Sequence, residues 1–102
     1  MFQETEQNLK DMGDFFRLAR KRRGWRQEDV AERLSVGLDT VKRAEKGLKG
    51  VGIGIILDMM ALYQRTAAFN VVIDPNDDEI GISLQAERLP ARESKERYDT
   101  DF

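Results

Sequence analysis

The stretch that decides the fold spans residues 27–47 and reads QEDVAERLSVGLDTVKRAEKG. Its apolar side chains recur with helical spacing in two short runs, at positions 30, 31 and 34 and then at positions 41 and 44. Ser35, Val36 and Gly37 interrupt this periodicity, which predicts a tight turn between two short helices. Because helices of this length cannot bury an apolar face alone, we expect them to pack at a steep angle against further helices.

Two short helices joined by a tight turn form a helix-turn-helix, an arrangement typical of proteins that bind DNA. The stretch resembles the Xre-like family of bacterial regulators, which includes the lambdoid phage repressors. The resemblance covers roughly residues 12–63 and rests on the mutual spacing of Gln27, Ala31, Val36, Val41, Glu45 and Gly47. Gly37 departs from the family, which usually has Ser or Thr there; glycine is a tolerable N-cap that lacks a side-chain acceptor.

The resemblance implies an all-α fold, a four- to five-helix lambda-repressor-like DNA-binding domain with a short C-terminal β-strand that pairs across a dimer. Local patterns predict helices over residues 8–23, 27–34, 38–46 and 53–63. For Trp25 we favour core packing over stacking on a base. Tyr63 should also face inward, beside one buried cluster formed by Met12, Phe16, Ala19, Val30, Ala31, Leu34, Val36, Val41, Ile53, Ile56, Leu57 and Met60.

The chain is predicted to comprise a flexible N-terminus (1–8), the DNA-binding domain (9–67), a dimerising strand (68–74) and an acidic, partly disordered tail (75–102). The turn signal at residues 74–76 follows the β-branched and aromatic residues of the predicted strand, Phe69, Asn70, Val71, Val72 and Ile73. An isolated strand is not stable in water, so its expected partner is the same strand of a second copy. A coil packed against the fourth helix is the alternative. From Pro90 onward the chain is polar and charged, and we expect disorder.

The net charge of −2 conceals a separation of charge along the chain. Residues 16–50 contain eleven Lys and Arg against five acidic residues, whereas residues 1–15 and 74–102 are net acidic. A positive field is therefore concentrated on the helix-turn-helix, where phosphate groups would meet it. The chain is predicted to bind double-stranded DNA despite its overall negative charge.

Composition argues against enzymatic activity and membrane insertion. Without cysteine or histidine, the chain lacks disulfides, thiolate metal sites and the commonest general base. The paired carboxylates at residues 77–79 lie in the tail, and the glycines at residues 50–54 do not follow a strand as a phosphate-binding loop would. We predict no enzymatic activity, cofactor or metal. No apolar run approaches the roughly 20 residues of a membrane span, and no signal peptide is recognisable, so we expect a bacterial cytoplasmic protein, at the nucleoid when bound to its operator.

The family resemblance assigns roles to individual positions. In this family, the start of the third helix enters the major groove. The resemblance therefore implies that the base-facing residues are Leu38, Asp39, Thr40 and Arg43. The predicted phosphate contacts are Arg26, Gln27, Lys42, Lys46 and Lys49. Arg20 and Glu45 match a family pair that ties the first helix to the end of the third. Asp39 has an alternative role, in which its charge complements the dipole of the third helix.

Residues 50–53 (GVGI) and 78–90 (DEIGISLQAERLP) resemble a narrower group, the HipB-type DNA-binding antitoxins encoded beside HipA-like serine/threonine kinase toxins. That resemblance implies a homodimer that represses its own operon at a palindromic operator and binds a HipA-like kinase. Two alternatives stay open: a stand-alone phage-type or metabolic Xre-family regulator, and a protein-interaction module that has lost DNA binding.

Overall fold

The computed structural model describes residues 2–88, and within this range the chain is helical, with no strand. The α-helices in chain order are α1 (Gln3–Arg22), α2 (Gln27–Leu34), α3 (Leu38–Glu45), α4 (Ile53–Leu62), α5 (Thr66–Val72) and α6 (Glu79–Arg88), with one 3-10 turn at Pro75–Asp77. The chain divides into two units, and the boundary in sequence lies between Thr66 and Ala67. The predicted all-α class and the two helices of the helix-turn-helix are confirmed.

Helix α1 begins at Gln3, well before its predicted start at residue 8. The segment expected to be a flexible N-terminus is therefore helical over most of its length. Glu4 and Glu6 lie in the first turn, and basic residues occupy the last turn. Both placements complement the helix dipole, which favours extension of the helix toward the N-terminus.

The turn between α2 and α3 falls where the apolar periodicity breaks. Ser35 adopts a left-handed conformation with φ of 55°, and the N–H of Val36 donates to the carbonyl of Ala31 over 3.0 Å. These features end α2 and redirect the chain, and Gly37, in an extended conformation, is the N-cap residue that precedes α3. Local chemistry alone thus accounts for the turn.

The core consists of two clusters of buried residues rather than the one predicted. The larger joins α1, α3 and α4 through Phe16, Ala19, Ala44, Ile56, Met59 and Tyr63. The smaller joins α2 and α3 through Val30, Ala31 and Val41. Trp25, Leu34 and Leu62 pack against both clusters. Helix α3 contributes to both clusters through Val41 and Ala44, and these three side chains join the clusters further.

Helix α4 presents a different face to the core from the one predicted. Ile53 is 65% exposed and Leu57 37% exposed, whereas Met59 is fully buried. Ile56 and Tyr63 are buried as expected. Because α4 is apolar on most sides, its own sequence does not distinguish an inner from an outer face. The prediction for Ile53 and Leu57 was wrong for this reason.

The segment predicted as a dimerising strand is helical. Helix α5 covers Thr66–Val72, so Phe69, Asn70, Val71 and Val72 are helical and Ile73 lies in the following turn. A helix satisfies its backbone N–H and C=O groups internally, whereas a strand needs a partner. Residues 69–73 are rich in strand-forming side chains, but most of them are helical. Ala67 and Ala68 at the start of α5 have high helix propensity and favour this outcome.

The acidic tail contains a helix that was not predicted from the sequence. Helix α6 runs over Glu79–Arg88, and the carboxylate of Asp78 accepts the N–H of Gly81 over 3.0 Å at its start. Asp74 similarly accepts the N–H of Asn76 over 2.9 Å. These side-chain bonds satisfy N–H groups that have no helical partner. The disorder predicted from Pro90 onward falls outside the described residues.

Helix α1 crosses the end of α3 at very short backbone distance. A methyl group on Gly13 would stand 2.6 Å from the carbonyl oxygen of Glu45 and 2.8 Å from the nitrogen of Gly47. Gly47 has φ of +70°, and a methyl group there would stand 2.6 Å from the carbonyl oxygen of Leu9. Both positions therefore require glycine, Gly13 for space and Gly47 for space and backbone conformation.

We predict that Gly13→Ala lowers the free energy of unfolding by about 1–3 kcal/mol, because α1 and the end of α3 must separate to admit the methyl group. Denaturant titration followed by circular dichroism measures the change. Gly54→Ala is the matched control, since it is also helical but has no neighbouring atom within 4 Å of the added methyl. Equal stability changes for the two variants would contradict the close packing of α1 on α3.

Tyr63 is a buried aromatic residue whose hydroxyl has no partner among the described residues. Its side chain is 2% exposed, and its ring lies 6.1 Å from Phe16 and 6.2 Å from Trp25 between centroids. Burial raises the pKa of Tyr63, because the phenolate would lose its hydration. The folded state therefore holds the phenolic proton more tightly than the unfolded state does.

This difference predicts a loss of stability in alkali. As the pH rises past about 10, the unfolded chain ionises Tyr63 while the folded chain does not, so the free energy of unfolding should fall. Tyr63→Phe should show a smaller fall over the same range. The measurement is chemical denaturation of both proteins at several alkaline pH values. Parallel curves for the two proteins would refute the assignment to Tyr63.

Candidate nucleic-acid interface

The outer face of α3 is basic. Val41, Ala44 and Glu45 face the core and are buried, which leaves the opposite face of the helix to solvent. The exposed residues on that face, including the residue that follows the last turn, are Asp39, Lys42, Arg43 and Lys46. Three of these four carry positive charge, and they follow one another at helical spacing along the solvent side.

The basic residues on this face and in the loop after α3 form no ion pair within residues 2–88. These residues are Lys42, Arg43, Lys46 and Lys49. The Arg43 side chain extends toward the loop, since a methyl group on Gly50 would stand 3.4 Å from Arg43 Nη2. Unpaired surface cations attract polyanions most strongly, because no neighbouring carboxylate offsets their charge.

The start of α3 is partly packed. Leu38 and Thr40 are half-buried, whereas Asp39 is exposed in the first turn. Gly37 provides no side-chain cap, so the carboxylate of Asp39 is the acidic group at this N-terminus. The position of Asp39 is compatible with both predicted roles, a base contact and a charge that complements the helix dipole.

The start of α2 is held by a local ion pair. The backbone N–H of Arg26 donates to Asp29 Oδ2 over 2.7 Å, and Arg26 Nη2 lies 3.3 Å from Asp29 Oδ1. The backbone N–H is the main cause that lowers the pKa of Asp29. Arg26 is exposed but lies beside this carboxylate. Arg26 is therefore paired with a carboxylate, whereas the lysines among the predicted phosphate contacts form no ion pair within residues 2–88.

A buried polar junction links the first three helices. Arg20 Nε donates to Glu45 Oε2 over 2.8 Å, and Arg20 Nη2 donates to Glu45 Oε1 over 3.0 Å. Arg20 Nη1 also donates to the carbonyl of Trp25 over 3.1 Å, and Gln27 Nε2 donates to Glu45 Oε1 over 3.1 Å. Arg20 and Glu45 are 9% and 4% exposed.

This junction is a two-pronged charge pair with added hydrogen bonds, the geometry that best offsets the cost of burying charge. The bond to Glu45 raises the pKa of Arg20, so the guanidinium stays charged. The structure brings Arg20, Gln27 and Glu45 together in one site. The bond between Gln27 and Glu45 was not predicted, because a separation of 18 residues carries no local pattern.

Stacked arginines on the surface of the same unit were also missed. Arg33 lies 4.2 Å from the centroid of the Trp25 ring, and Arg23 lies 5.1 Å from that of Tyr63. Trp25 is half-buried and packs against both core clusters, which agrees with core packing rather than base stacking. The abundance of arginine near aromatic residues was the available signal, but the pairs are set by tertiary packing.

Comparison with known proteins establishes the family. A family model described as a helix-turn-helix domain matches residues 11–68, more than half of the chain. The chain therefore belongs to the helix-turn-helix domain family, in agreement with the general family predicted from residues 27–47. No curated protein and no solved structure matches the chain.

Across residues 2–88, no group of acidic side chains is arranged to hold a metal ion. No helix in this range is both long and apolar enough to cross a membrane.

Proposed function

We propose that this protein is a sequence-specific DNA-binding transcriptional repressor that places α3 in the major groove. The observation that carries the proposal is the outer face of α3, where Lys42, Arg43 and Lys46 are exposed and unpaired opposite the buried Val41 and Ala44. A helix fits the major groove, and unpaired cations on its outer side supply the attraction to phosphate. Membership of the helix-turn-helix family supports the same use of α3.

Base reading is assigned to the start and middle of α3. Arg43 is the proposed reader of a guanine, because its guanidinium can donate to O6 and N7 together. The other proposed base-facing residues are Leu38, Asp39 and Thr40. Leu38 suits a thymine methyl group, and Asp39 suits the amino group of a cytosine. The proposed phosphate contacts are Arg26, Gln27, Lys42, Lys46 and Lys49.

A homodimer is proposed to read a palindromic operator, with its two recognition helices about 34–36 Å apart. Since residues 69–73 are not a strand, we assign the interface to the outer face of α4. Ile53 and Leu57 are one turn apart and exposed, and the neighbouring Ala61 is small enough for close approach. This apolar face, with the exposed Asp58 beside it as the one charged residue of α4, suits a two-fold contact in which the same patch meets itself.

We further propose that the protein is a HipB-type antitoxin that binds a HipA-like kinase and represses their shared operon. The sequence resemblance of residues 50–53 and 78–90 supports this role. Co-purification of the full chain with the product of the neighbouring gene tests it. Absence of a kinase gene beside it would favour a stand-alone phage-type or metabolic Xre-family regulator.

For DNA recognition, we predict that Arg43→Ala weakens binding to a selected operator by about 1–3 kcal/mol and relaxes specificity at one base pair. Lys46→Ala should weaken specific and non-specific binding alike and lower the salt slope by about one. Anisotropy titrations on an operator selected from random duplexes measure both effects.

Arg88→Ala is the charge-matched control, since it removes one cation from α6, in the other unit. It should leave specificity unchanged. If the wild-type chain shows no salt-dependent binding to any duplex, the protein is instead an interaction module that has lost DNA binding. If Arg43→Ala changes only non-specific affinity, Arg43 contacts phosphate and the base-reader assignment is wrong.

For dimerisation, we predict that Ile53→Glu raises the dissociation constant of the dimer by about tenfold or more, because the carboxylate would be buried against its own copy. Sedimentation equilibrium gives the constant. Val72→Glu is the control, because Val72 is 77% exposed on α5. Dissociation by Val72→Glu but not by Ile53→Glu would place the interface on α5 instead.

A further inference from the structure

Glu45 occupies an unusual position among the residues of the helix-turn-helix. It is the last residue of α3, it is 4% exposed, and it accepts hydrogen bonds from side chains on two other helices. Arg20 of α1 donates to both of its oxygens, and Gln27, the first residue of α2, donates to Oε1 over 3.1 Å. One carboxylate of α3 thus holds a side chain of α1 and a side chain of α2.

The hydrogen bond to Glu45 orients the carboxamide of Gln27. A carboxylate only accepts hydrogen bonds, so the amide nitrogen of Gln27, and not its oxygen, must face Glu45. That nitrogen carries a second N–H, which takes part in no hydrogen bond within residues 2–88. Gln27 is half-buried, so its side chain is not fully enclosed, and the hydrogen bond to Glu45 restricts the directions in which the second N–H can point.

The charge of Glu45 would oppose a phosphate contact if it stood alone. Arg20 removes this difficulty, because its guanidinium meets both carboxylate oxygens at 2.8 and 3.0 Å. The pair has no net charge, so its repulsion of phosphate is small. Glu45 therefore orients a neutral donor without adding negative charge to the DNA-facing side.

We infer that Glu45 is a positioning residue for DNA binding, which acts through Gln27 by aiming the second amide N–H of Gln27 at a DNA phosphate. The inference rests on the proposed function and adds to it a specific link. The same carboxylate that joins α3 to α1 also prepares the phosphate contact of α2. The packing of α3 on α1 and the contact of α2 with the DNA phosphates are thereby coupled.

A double-mutant cycle on DNA affinity tests this link. Gln27→Met removes the amide at similar length, and Glu45→Asp keeps the charge for Arg20 while withdrawing the carboxylate from Gln27. Affinities are measured on a fluorescein-labelled duplex of mixed sequence at low salt, with folding of each variant checked by circular dichroism. Gln27→Met should weaken binding roughly tenfold, as expected for one hydrogen bond to a charged group, without changing the salt slope.

Glu45→Asp should weaken binding to a similar extent in the wild-type background and have no further effect in the Gln27→Met background. An equal loss in both backgrounds would overturn the inference, since Glu45 would then act on the fold alone. The proposed function is tested separately by the wild-type titration. Salt-dependent binding by the wild-type chain together with an additive cycle refutes the positioning role only.

A second measurement does not depend on the stability of the Glu45 variant. The side-chain amide resonances of Gln27, assigned by their absence in Gln27→Met, should shift when the duplex is added to the wild-type protein. Backbone amide resonances of α3 serve as the internal control for binding. Unchanged Gln27 side-chain resonances alongside shifted α3 resonances would overturn the contact to phosphate.

Discussion

The backbone contact between α1 and the end of α3 is the constraint on which the remaining structure depends. Gly13 and Gly47 allow the backbone of α1 and the backbone at the end of α3 to approach until no methyl group fits between them. At this distance Arg20 on α1 reaches Glu45 on α3 with two direct hydrogen bonds. A bulkier contact would move α3 outward and leave a buried charge without its partner, which is costly. The short distance therefore determines both the packing of α3 and the pairing beneath it.

The parts of the fold that local chemistry determines were predictable from the sequence. The bounds of α2 agree with the structure, and α3 begins at the predicted residue, because apolar spacing and the break at residues 35–37 are encoded within one stretch. The exposed basic face of α3 follows from the same periodicity, since burial of Val41 and Ala44 places Lys42 and Arg43 outward. The family match over residues 11–68 agrees with that prediction.

The parts that depend on tertiary contacts were not predictable. Helix α4 is apolar on several sides, so the choice between Leu57 and Met59 as a core residue is made by the surface it meets. Residues 69–73 have strand-forming side chains, but without a partner strand most of them lie in α5. Gly13 lies inside a helix, where glycine is unfavourable, and only the approach of α3 explains its presence. The first and third cases are settled by neighbours distant in sequence, and the second by the local helix of residues 66–72.

Trp25 gives this molecule a built-in optical probe. It is the only tryptophan of the chain, and its ring lies 4.2 Å from the Arg33 guanidinium and 6.2 Å from the Tyr63 ring. Its side chain also contacts both core clusters, so separation of either cluster changes the surroundings of the indole. Intrinsic emission excited at the tryptophan band therefore reports on the junction between the motif helices and the rest of the unit, without any attached dye.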